Sequence, residues 1–143
     1  MLKILKNMLK NSKNTIEYDD FELLYQYKKK KCFFNLKSNV IKVQIEGFTR
    51  SFVLPNGFQS DGCTIPKIFR FVLGCNHTGQ YIAASLIHDF LLEHDEIIPN
   101  RKLVSQTFKT ALLKEGVNPI KANLMYFAVE FWQRFIKGWK NGN

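Results

Sequence analysis

Only three cysteines stand in this 143-residue chain, Cys32, Cys63 and Cys75, an odd number at spacings that form no pairing pattern. A small secreted fold held by disulfides is denser and even in cysteine, so a reducing compartment, the cytoplasm, is expected. No apolar run approaches the ~20 residues that a bilayer crossing needs. The first fourteen residues, MLKILKNMLKNSKN, carry lysine throughout, with no continuous apolar stretch and no small-residue cleavage site, so they do not read as a secretory signal. Arginine is scarce too, only four of the 21 basic residues. Bidentate contacts to base edges favour arginine, so sequence-specific DNA recognition is not expected.

What the chain does have is apolar bulk. Its hydrophobic fraction is 45%, with thirteen Phe, five Tyr and two Trp. Each large ring buries a big area, so 143 residues can close one core without metals or disulfides, and one domain over residues 1–143 is expected. The net charge of +9 is unevenly spread: residues 61–100 hold two basic side chains against five acidic ones, a balance of −3, so the remainder carries +12. Basic ends around an acidic middle suit contact with nucleic acid or an anionic membrane surface; the alternative is simply a well-solvated exterior.

The apolar pattern changes period along the chain. Leu2, Leu5, Met8 and Leu9 fall near helical spacing among lysines, so residues 1–14 read as a basic amphipathic arm. A helix this short is marginal alone, and packing on its own domain is the expected outcome. Residues 21–54 read as strands: Phe21, Leu23, Tyr25 and Tyr27 alternate, and Ile41, Val43 and Ile45 oppose Val40, Lys42, Gln44 and Glu46 in period two. Lys37-Ser38-Asn39 and Gly47-Phe48 are hairpin connections, Pro55-Asn56-Gly57 is a turn, and Lys28–Lys31 protects a loop or edge. From 65 to 138 the period is helical. Ile68–Leu73 is a short helix, Tyr81–Glu93 is apolar nearly all round and therefore central, and Arg101–Lys114 closes at Glu115-Gly116. Asn118-Pro119 opens the last helix, to about Lys137. The fold class is α+β: a small N-terminal antiparallel sheet followed by about four helices.

Three segments carry polar residues in apolar surroundings. In GFQSDGCTIP, residues 57–66, Asp61 suits an internal turn and Thr64 a helix cap; the same groups can line a pocket at a helix start. In SLIHDF, residues 85–90, His88 and Asp89 interrupt an apolar helix, a costly placement unless each finds a partner. Neighbours on a helix point about 100° apart, so each must meet something different, and Asp61 or Thr64 is the natural partner for His88. The remaining histidines, His77 beside Cys75 and His94 beside Asp95, are candidates to extend a metal site, but the cysteines lack zinc-type pairing, and His88 and His94, six positions apart, splay on a straight helix. Cys63 near a helix start, with His88 as base, is a further nucleophile arrangement that the order along the chain allows.

GFQSDGCTIP, AASLIHDF and NRKLVSQTF together resemble the phage and prophage family DUF1353, a domain of unknown function, over roughly Val53 to Trp139. Asp61, Thr64, Pro66, His88 and Asp89 match the pattern of that family, Thr64 standing for Ser. Cys63 falls where the family has Ala, which speaks against an essential thiol, and Ser105 falls where it tends to have Asp. The resemblance implies a phage or prophage origin and supplies no reaction.

Two classes of function follow. The first is a small hydrolase, with His88 as general base, Asp61 or Asp89 orienting it and Thr64 positioning substrate; a metal-assisted form gathers His88, Asp89 and Asp61 around a divalent ion. The second, the one favoured here, is a binding or structural module with no cofactor, cytoplasmic or virion-associated, that meets a phage or host protein. In that reading the same four residues form an internal hydrogen-bond network. The basic arm and the aromatic Phe131–Trp139 stretch then carry the interface, although that stretch also suits plain core packing.

Overall fold

The computed structural model describes residues 14–26, 32–60 and 79–136. Six strands, β1 (Thr15–Glu17), β2 (Leu23–Gln26), β3 (Cys32–Asn35), β4 (Asn39–Ile45), β5 (Phe48–Leu54) and β6 (Gln59–Ser60), precede three α-helices, α1 (Gly79–Glu93), α2 (Arg101–Lys114) and α3 (Pro119–Phe131). The protein is α+β, as expected. The expected antiparallel strands divide into two three-stranded sheets, ordered β1-β4-β5 and β2-β3-β6. The described α-helices number three rather than about four, because the last one gives way at Trp132–Ile136 to a π-helical turn and the short helix expected at Ile68–Leu73 lies outside the described residues. So do the arm before Asn14, the Lys28–Lys31 run, Cys63, Cys75, His77 and Trp139.

The period-two reading holds residue by residue in β4, where Asn39, Ile41, Val43 and Ile45 are buried and Val40, Lys42 and Gln44 are exposed. Each of these apolar side chains contributes about 1.5–3 kcal/mol by leaving water. β4 pairs with β5 from Asn39↔Leu54 to Ile45↔Phe48, across a two-residue turn in which Glu46 and Gly47 both have positive φ, 48° and 81°. Positive φ at both central positions gives the hairpin the twist of its strands, and glycine adopts it without strain. β1, not anticipated from the sequence, adds to the other side of β4 and sends Ile16 into the core opposite Val43.

Asn35 joins the two sheets. It ends β3, is fully buried, and its side-chain amide donates to the carbonyls of Leu54 and Pro55 at 3.4 and 3.3 Å. Its backbone exchanges hydrogen bonds with Phe58 and Gly57 across the Pro55 turn. The helices cover the core face of β1-β4-β5. α1 is buried from Tyr81 to Ile87, as its apolar circumference requires, and Phe90 stacks on Phe52 of β5 at 5.9 Å. α2 starts on an Asn100 cap whose side chain accepts from Lys102 N and Leu103 N, and it stops at Gly116, φ 91°, with Val117 N returning to Leu112 O. Asn118 caps α3 through Ile120 N, with Pro119 in the first turn.

Candidate functional site

The two candidate residues that are described, His88 and Asp89, lie on α1, which meets the turn after β5. Phe58 of that turn sets its ring edge-on to Phe90 at 5.3 Å, so the chain leading into β6 is held against α1 one residue from Asp89. The next residues, Asp61 and Thr64 among them, lie outside the described part, and with them the expected meeting of Asp61 or Thr64 with His88.

His88 is 1% exposed, pressed against the Phe108 ring of α2 at 5.1 Å. Burial, and then the nearby Arg101 charge, lower its pKa from 6.5 to about 3. At neutral pH the ring is therefore uncharged, and a base that weak accepts a proton poorly. Asp89, the next residue round the helix, is half-buried. Ser85, one turn before Asp89, is buried.

α2 and the chain after α3 close the His88 side. The Arg101 guanidinium donates to Gln133 Oε1 at 3.2 Å, and Gln133 is drawn inside by the π-helical turn. The buried Ser105 hydroxyl donates to Arg101 O at 3.2 Å and also meets the Glu130 carboxylate. Glu130 is held above the usual carboxylate range by burial, with Ser105, Arg134 and Lys102 pulling the other way. Ser105, noted in the sequence as a missing acid, thus adjoins an acid supplied by α3. Arg101, Glu130 and Gln133 were not among the residues singled out from sequence.

His94 meets Glu96 at 3.1 Å on an exposed corner. Among the described residues no three His, Cys, Asp or Glu side chains gather as a metal would require. Two members of the expected metal set, His88 and Asp89, are described, and Asp61 is not. In the C-terminal aromatic stretch Trp132 is half-buried, Gln133 buried, and Phe131 and Arg134 exposed. The larger apolar surface lies upstream, on the outer face of α3: Ile120 is 53% exposed, Leu124 50%, Phe127 57% and Phe131 46%. Their 4-3-4 spacing, visible in the sequence, was the signal that could have found this row.

A sheet-and-helix protein with a sealed polar junction and an open apolar helix face is the class these features define. The chain belongs to the family described as "Protein of unknown function (DUF1353)", whose model matches residues 34–129. It is similar to the uncharacterised protein y4jT of Sinorhizobium fredii (strain NBRC 101917 / NGR234), 33% identical over 76 residues, which are 53% of this chain and 22% of that protein. The matched segment thus spans about a fifth of that relative's length. No solved structure matches. No helix among the described residues is long and apolar enough to cross a membrane.

Proposed function

We propose that this protein is a binding module, encoded by a phage or prophage, that meets a phage or host protein through the outer face of α3. The observation that carries this reading is the row Ile120, Leu124 and Phe127, each at least half exposed. Large apolar side chains gathered in one contiguous row on a helix face mark a protein contact. The His88 junction supports the same reading, since a sealed, uncharged imidazole suits an internal lock between α1 and α2 better than a proton acceptor. The phage setting rests on the motif resemblance, and it puts the protein in the host cytoplasm or with the virion.

The test is affinity capture from host lysate, with identification by mass spectrometry, for the native chain, Phe127→Asp and His88→Gln. A partner held by the native chain and by folded His88→Gln, and lost with Phe127→Asp, is the expected result. A hydrolytic activity that His88→Gln abolishes without unfolding the protein overturns the reading in favour of the hydrolase. Capture indifferent to Phe127→Asp removes the α3 face.

A further inference from the structure

α2 holds a buried cation whose charge nothing nearby answers. Lys102, Gln106, Lys109 and Leu113 recur at 4-3-4 spacing, so they stand in one row along the helix. Within that row Lys109 is only 7% exposed, with its ammonium over the Tyr126 ring of α3, 5.7 Å from the centroid. Cation–π attraction is weak at that range, and among the described residues the amine makes no ion pair or hydrogen bond. Burial lowers its pKa, and no neighbouring acid offsets the shift. A charge taken out of water without a counter-charge is a net cost to the fold, so stability does not account for this lysine.

The row opens on a hollow of about 280 Å³ between α2 and α3, with Glu46, Asn123 and Phe127 also in its lining. Glu46 there accepts from Gln106 Nε2 at 3.0 Å. Gln106 Oε1 is buried and has no partner among the described residues. Two unmet polar groups in one hollow mark a place completed by a ligand rather than by packing. A second hollow of about 420 Å³ shares Lys102, Tyr126 and Phe127 with the first and leaves room beyond it.

We propose that this hollow binds a small phosphomonoester, its phosphoryl group on Lys109 and its organic half against Phe127. The cation selects the anion. Lysine is a point charge that suits a phosphoryl dianion, whereas a planar carboxylate is matched by the arginine fork, and among the described residues no arginine lines this hollow. Lys102, two turns earlier and exposed, adds positive potential at the mouth. The Phe127 ring, 57% exposed, offers a flat apolar surface beside it. This site goes beyond the protein partner proposed for the α3 face and does not depend on it, because its charged half stands on α2.

Calorimetric titration of the full chain with phenyl phosphate, at physiological salt, tests this. Phenyl phosphate should saturate at one site per chain and bind at least about tenfold tighter than benzoate, its carboxylate counterpart, or inorganic phosphate, which lacks the ring. Lys109→Met should weaken it at least about tenfold while raising the urea midpoint, because an uncompensated buried charge is removed. Lys102→Gln, at an exposed position, should weaken it about threefold and keeps the test open if Lys109→Met misfolds. Lys42→Gln, at an exposed lysine on β4, should change nothing. Absence of saturable binding overturns the proposal. So does benzoate held as tightly as phenyl phosphate, an affinity indifferent to Lys109→Met, or an equal loss in Lys42→Gln, which would mean general charge attraction alone.

Discussion

Acid should weaken this protein through His88 before its ordinary, unraised carboxylates titrate. The imidazole has a folded-state pKa of about 3 against 6.5 when exposed, first because it is buried and second because Arg101 is near. The folded state therefore binds fewer protons than the unfolded one throughout that interval. The stabilisation from keeping the ring neutral is complete above pH 6.5 and drains away as pH falls toward 3. Each pH unit in the window is worth about 1.4 kcal/mol, so moving from pH 7 to pH 5 should cost about 2 kcal/mol. Urea unfolding reads this directly: with a slope of about 2 kcal/mol per molar, the midpoint should drop by about 1 M. His88→Gln keeps polar atoms in the junction but cannot titrate, and its midpoint should move far less over the same range. Parallel shifts in the two proteins would refute the reasoning, as would a His88 ring that titrates near 6.5 by nuclear magnetic resonance.

Three further outcomes follow from the same packing. Ser105→Asp places a second carboxylate beside Glu130, and at an effective dielectric near 20 two such charges ~4 Å apart repel by about 4 kcal/mol, of which roughly half should survive relaxation. That loss should shrink as pH falls through the raised carboxyl pKa values, since a carboxyl held above its unfolded pKa regains stability on protonation; urea midpoints at pH 7 and 5 decide it. Asn100→Ala removes the acceptor of two helix-start amides and should cost about 1 kcal/mol by urea denaturation, with no change in slope. Gly47→Val meets no steric neighbour but forces a β-branched residue to φ 81°, so about 1–2 kcal/mol should be lost in thermal unfolding.

Local chemistry made much of this fold legible. The alternation in β4, the Asn100 and Asn118 caps and the Gly116 stop each depend on neighbours a few residues away, and each appears where the sequence puts it. The surroundings of His88 do not work that way. Arg101 reaches Gln133 over 32 positions, and Glu130 comes to Ser105 from another helix. Nor could apolar content say which side of α3 faces inward, since Ala122, Met125 and Val129 turn in while Ile120, Leu124 and Phe127 turn out and both rows are apolar. β1 escaped notice because three residues with one buried isoleucine carry too short a period to read.

The buried Asn35 amide leaves the two sheets little freedom to come apart separately. Opening β2-β3-β6 pulls its donors from the Leu54 and Pro55 carbonyls and strands them at the end of β5, while fraying β5 strips the same amide inside apolar surroundings. Each event carries the penalty of an unsatisfied buried polar group, so breaking one half makes breaking the other cheaper. The six described strands, none above seven residues, should thereby melt as one cooperative unit.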